Sequence, residues 1–225
     1  MDQVHLRRMV AADRSEVAEL ICVSMNYGFL ERGLPARFSG GPVTADVFLQ
    51  VPDEGLGRQT TGAERIREAT ADDVPAIGQL EQELVGIRRE KDFQYCIENR
   101  DGFWHASVCE GQRGRLEGFM FSSAHPGCNM IGPGLARTQE QAAALVLAEL
   151  DRHRGRRPVM LVPVDCGGLV RQVYAWGGRN CEMHFSQIRG GTGILPMHPS
   201  RDWPAASATG PPGGVHMPTF LPESG

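Results

Sequence analysis

Residues 129–150, NMIGPGLARTQEQAAALVLAEL, restrict the fold more than any other stretch of this chain. A short apolar run, Met130-Ile131, meets a glycine-rich turn, Gly132-Pro133-Gly134-Leu135-Ala136. A long alanine- and leucine-rich amphipathic run follows. This pattern reads as strand, tight loop, helix. Thr138 is placed to cap the helix, and Gln141 three residues later completes a capping box. Backbone N–H groups at such a helix start lack partners, and the helix dipole adds positive potential there. Glycine lets an anionic group approach that backbone. The alternative is a plain strand–helix connection whose glycines only turn the chain.

The chain also repeats itself. Leu6-Arg7, Ala11, Asp13, Val17 and Leu20 match Ile66-Arg67, Ala71, Asp73, Ile77 and Leu80 at a constant offset of 60. Each copy reads as a short strand, a polar turn with an Asp suited to capping, and an amphipathic helix. The first copy ends early. After its helix, Arg14–Met25, the sequence is rich in Gly and Pro, with one apolar run at Val47–Val51. Residues 1–45 are therefore expected to be a fragment, 46–64 a linker, and 65–225 a complete domain.

Along the second copy, the pattern predicts helices over 74–85 and 88–99 and a hairpin from 103–110 and 116–123. The 129–150 unit comes next. Pro158–Asp165 is a continuous apolar run, as in a strand buried on both faces. A short helix over 169–176 precedes an alternating strand over 181–188. A Gly- and Pro-rich loop spans 190–214. The run 215–221 contains Pro218 and reads as an edge strand. A mixed α/β sheet flanked by helices is the expected fold class.

Composition narrows the function classes. Hydrophobic content of 41% and charged content of 22% are those of an ordinary globular protein. The net charge of −4 argues against a nucleic-acid partner. No run approaches the roughly 18 apolar residues of a membrane span, so no membrane partner is expected. The N-terminus lacks a signal-peptide core, and six cysteines without a C-x-x-C pair suit a reducing cytoplasm. His125-x-x-Cys128 and Cys181-x-x-His184 could supply zinc ligands, but each reads as an accident of strand spacing, and no metal is expected.

The element order, the Gly134 and Ala136 positions, and Tyr174 followed by Gly178 resemble the GCN5-related N-acetyltransferase family. Gly134 and Ala136 fall on the last two positions of its Q/R-x-x-G-x-G/A pyrophosphate loop, with Ile131 at the first. Tyr174 and Gly178 match Y-x-x-x-G-F, with Arg179 at the Phe. The paired openings resemble tandem members carrying two copies of the fold, the first here truncated. The resemblance implies the acyl-CoA N-acyltransferase fold and an acetyl-CoA co-substrate.

It also implies roles. Met130, Ile131, Gly132, Gly134, Leu135, Ala136, Arg137 and Thr138 would hold the cofactor, with backbone amides as an anion cradle and Arg137 adding a charged contact. Tyr174 would be the general acid for the departing thiolate; otherwise it is a core tyrosine. Asp165 is one candidate base beside His125, Asn129 and Glu110, and it could instead cap the following helix. A backbone N–H near Met130–Gly132 would meet the oxyanion. The acceptor is expected to be a small-molecule or peptide amine, received between Gly86–Asp92, Trp104 and the 190–214 loop with Trp203. Val17, Leu20 and Ile21 give helix 14–25 an apolar face, expected to dock on the second copy or on another chain, as in a homodimer. A non-catalytic relative, used for ligand sensing or partner docking, is the alternative function.

Overall fold

Strand order in the sheet departs from chain order, and that departure positions the site. The computed structural model describes residues 38–189 and 214–218. The strands are β1 (Phe38–Phe48), β2 (Ile66–Glu68), β3 (Trp104–Glu110), β4 (Leu116–His125), β5 (Cys128–Ala136), β6 (Val159–Pro163), β7 (Arg179–Arg189) and β8 (Val215–Met217). The helices are α1 (Val74–Val85), α2 (Glu90–Glu98), α3 (Gln139–Arg152) and α4 (Gly167–Ala175). The sheet runs β2-β3-β4-β5-β6-β1-β7, with β8 added beside β5. Pairing is mostly antiparallel; β5 and β6 are parallel. The strand and helix expected within residues 1–25 lie outside the described residues, as does most of the 190–214 loop. No described helix is long and apolar enough to cross a membrane.

Several elements form where the pattern puts them. Ile77, Leu80, Leu84 and Val85 are buried along one face of α1, and Gly86 ends it at φ 79°. That left-handed conformation favours glycine. Thr138 and Gln141 form the expected capping box at α3. Just before α1, Asp73 accepts two hydrogen bonds from the Arg67 guanidinium, both at 2.8 Å. That fork holds the Asp73 carboxyl down at about 2.

Three differences matter. Phe38–Phe48 is an internal strand of the sheet, between β6 and β7, and runs antiparallel to β6 from Thr44↔Pro163 to Phe48↔Val159. The apolar run Val47–Val51 is thus core, with Val47, Leu49 and Val51 buried. Too few alternating residues mark it for a sequence reading to separate it from a linker. Second, the expected loop 132–136 is strand: β5 continues to Ala136. Third, β8 is no exposed edge: Val215, His216 and Met217 are all buried.

The second difference has a local cause. On β4, Met120 and Ser122 are two residues apart, while their partners on β5, Gly134 and Ile131, are three apart. One extra residue therefore bulges out at Gly132-Pro133. Gly132 takes φ 129°, open to glycine but strained for other residues. The bulge also exchanges the faces of the strand. Ile131 belongs to the core under α3 and α4, whereas Leu135 belongs to the core under α1 and α2.

Gly134 is required by packing. A Cβ there would overlap Sδ of Met120 and sit 3.1 Å from the Phe119 carbonyl. Gly134→Ala is expected to lose about 1–3 kcal/mol of stability by overpacking. The double change Gly134→Ala with Met120→Ala should lose less than the sum of the two single changes, as urea unfolding of all four proteins would measure.

Candidate active site

The bulge releases β5 from its parallel neighbour. Met130↔Val159 and Ile131↔Met160 are the paired positions between β5 and β6. Beyond them β6 stays with β1, as far as Pro163, while the end of β5 turns to β8. A gap opens in the sheet between the C-terminal halves of two parallel strands. Such ends are where α/β folds place ligands.

Two helices begin at this gap. α3 starts at Gln139, with only Arg137 and Thr138 between it and β5, and α4 starts after the Val164-Asp165 turn that follows β6. Gln139 ties the two starts together: its Oε1 accepts the Leu169 N–H at 3.0 Å. A Cβ on Gly168 would sit 2.7 Å from the same oxygen, so glycine lets the helices meet there. At α3 the capping box occupies the N–H groups of Thr138 and Gln141. The Arg137 N–H donates to the Glu117 carbonyl at 3.0 Å. The amides of Gln139 and Glu140, in the first turn, are left to face an anion.

Of the expected cofactor residues, Met130, Ile131, Gly132, Gly134, Leu135 and Ala136 all lie on β5 and are buried. Arg137 and Thr138 join β5 to α3. The Arg137 guanidinium is 2.5 Å from Glu83 of α1, a carboxylate that it shares with Arg115. Arg137, foremost, holds the Glu83 carboxyl below its ordinary range. A partly exposed pair of this kind contributes little, so an incoming phosphate can compete for Arg137.

The catalytic candidates separate. Asp165 is exposed on the turn between β6 and α4, at the open end of the gap, and the α4 cap position is Cys166. The helix-capping alternative for Asp165 therefore does not apply. Tyr174 lies in the last turn of α4 and is 43% exposed, so it is no core tyrosine. Glu110 is taken by Arg67 at 2.5 Å, on the far side of the sheet from β6. His125 sits at the opposite end of β5, edge-on to Phe103 with centroids 4.9 Å apart. Asn129 is at that end too, its Oδ1 2.6 Å from Nδ1 of His153. Trp104 opens β3, and Gly86–Asp92 spans the connection from α1 to α2 and the first turn of α2. Trp203 and the side chain of His184 lie outside the described residues. Among the described residues no three metal-ligating side chains converge.

A buried polar cluster under α3 was not foreseen. Glu149 is fully buried and accepts hydrogen bonds from Ser107 at 2.5 Å and Ser122 at 2.6 Å. Burial pushes its carboxyl up. One turn on, buried His153 is lowered to about 4, chiefly by desolvation, with His105 and Arg156 adding to it. The sequence signal was present: Glu149 falls on the apolar stripe Ala142, Leu145, Val146, Leu150.

The fold has solved counterparts. A presumed acetyltransferase from Pyrococcus horikoshii superposes with a TM-score of 0.54 at 16% identity, over 76% of this chain and 52% of its own. The fold is that of the GCN5-related N-acetyltransferases. A GCN5-related N-acetyltransferase from Sphaerobacter thermophilus matches with a TM-score of 0.47 at 15% identity, over 80% of this chain and 58% of its own. The chain thus spans little more than half the length of these proteins. No family sequence model and no curated protein matches it.

The buried cluster sets a pH dependence. His153 is held below its unfolded value, so its contribution is full above about 6.5 and is lost as pH falls toward 4. Glu149, raised, acts in the opposite sense, favouring the folded state as pH falls. Acidification from pH 7 to 5 is expected to cost up to about 2 kcal/mol through His153. Glu149→Gln removes the opposing effect, so urea unfolding at the two pH values should show a larger loss in that variant.

Proposed function

We propose that this chain is an N-acetyltransferase that moves an acetyl group from acetyl-CoA to an amine. The observation carrying this reading is the gap where β5 leaves β6, with the starts of α3 and α4 drawn together at its mouth by Gln139. An extended acyl-thioester arm suits the edge that β5 turns away from β6, which β8 now borders, and a pyrophosphate suits paired helix starts. The amides of Gln139 and Glu140 and the Arg137 guanidinium would hold that pyrophosphate. The GCN5-related N-acetyltransferase fold supports the reading at the level of architecture.

In the reaction, the amine nitrogen bonds to the thioester carbonyl carbon, and the carbon–sulfur bond breaks. Asp165, exposed at the mouth, would take the proton that the amine loses. The Tyr174 hydroxyl would give a proton to the leaving sulfur and regain one from solvent. A backbone N–H of β5 near Met130–Gly132 would stabilise the carbonyl oxygen as it becomes negative. Burial of this strand keeps water from that dipole. The stretch 86–92, with exposed Arg88 and Lys91, would be the acceptor side; Arg89 is turned inward to buried Glu81 at 2.5 Å. The protein is read as cytoplasmic.

A non-catalytic, ligand-sensing or docking role is the second reading. One observation favours it: strand β8 lies against the edge that the acyl arm would use.

Transfer of labelled acetyl from acetyl-CoA to a panel of small amines and peptides tests the enzyme reading. Tyr174→Phe is expected to lower kcat about 100-fold with little change in the KM for acetyl-CoA. No transfer to any acceptor at millimolar acetyl-CoA would refute it.

A further inference from the structure

Strand β8 occupies the place that the proposed function assigns to acetyl-CoA. Its register is Gly134↔Met217, Leu135↔His216 and Ala136↔Val215, all within the expected cofactor residues. Val215 and Met217 belong to the same core cluster as Ile131, Ala136 and Val162, so their side chains fill the space between the diverging strands. Gly214 enters at φ 83°, and a Cβ there would sit 2.6 Å from the Ala136 carbonyl. Only glycine reaches this edge so closely.

We propose that Gly214–Pro218 is a built-in competitor for the acyl-CoA cleft. The segment must leave β5 before an acyl arm can pair there. This rests on reading the gap as the acyl-CoA site. The two ligands share their chemistry. Pantetheine is an extended chain carrying two amides, and a strand edge that pairs with a peptide can pair with it.

The geometry also makes the segment removable. β8 is three residues long, pairs with β5 alone among the described strands, and is followed by Pro218, which has no N–H to extend the ladder. Isolated ladders this short are marginal, and their hold comes from the buried side chains. Elsewhere the sheet does not need it: β5 keeps β4 along both halves, and β6 keeps β1. Loss of β8 therefore frees one edge without removing a partner from any other strand.

Acetyl-CoA is titrated by calorimetry into the full chain and into a chain ending at Pro212. The shortened chain is expected to bind at least tenfold more tightly, and a peptide GGVHMPTF added in trans should compete with acetyl-CoA. Equal binding by both chains would overturn the competitor while leaving the acyl-CoA reading intact. No binding by either, with both folded by circular dichroism, would overturn the acyl-CoA reading and this inference with it. Amide hydrogen exchange on the full chain gives a second test if the shortened chain fails to fold. Saturating acetyl-CoA is then expected to speed exchange in 214–218 while 134–136 stays protected. Unchanged protection of 214–218 with acetyl-CoA bound would sink the inference.

Discussion

One extra residue in β5 sets the arrangement of the molecule around the gap. Before Gly132-Pro133, β5 lies between β4 and β6 and its apolar side chains feed the core under α3. After it, the strand has turned over, has left β6, and sends Leu135 to the opposite core. A bulge increases local twist and ends pairing on one side, which is how it can split a sheet without breaking it. Gly134 then lets the turned strand lie directly against Met120. The gap, the approach of α3 and α4, and the berth for β8 all follow from that local change.

Much of the fold was legible because its signals were local. The 3.6-residue stripe of α1, the Thr138–Gln141 capping box and the hairpin of β3 and β4 each depend on neighbours in sequence. The role of β1 was not legible. Its place between β6 and β7 is a long-range pairing, and a strand with glycines at its start gives a weak alternating signal. Likewise Pro218 was read as lying inside a strand over 215–221, whereas β8 ends at Met217, and the proline says nothing of which edge β8 joins. A proline after a buried strand and a proline on an exposed strand look alike in sequence.

The glycine-rich motif shows the same limit at the site. Gly132, Pro133 and Gly134 were read as a phosphate loop, and two of them have packing or backbone reasons of their own. Gly132 answers a backbone angle, and Gly134 answers Met120. Anion binding therefore falls to residues just beyond the motif, at the first turn of α3. There the capping box and the Glu117 carbonyl have already taken three amides. A cofactor would meet fewer free donors than the bare pattern suggests. Arg137, held by a surface pair, becomes the most adaptable of them.

The polar cluster under α3 bears on how firmly this frame is held. Glu149 sits where the helix stripe calls for an apolar residue, and its two serine donors come from β3 and β4. Removing either donor would leave a buried carboxyl short of a partner, which is costly. The cluster therefore fixes the register of α3 against those strands more specifically than alanine packing could. Since β5 is hydrogen-bonded to β4, that register also fixes where the bulge lies relative to the start of α3. The distance between the strand edge and the helix amides is then set by a buried carboxyl more than two helical turns from the site.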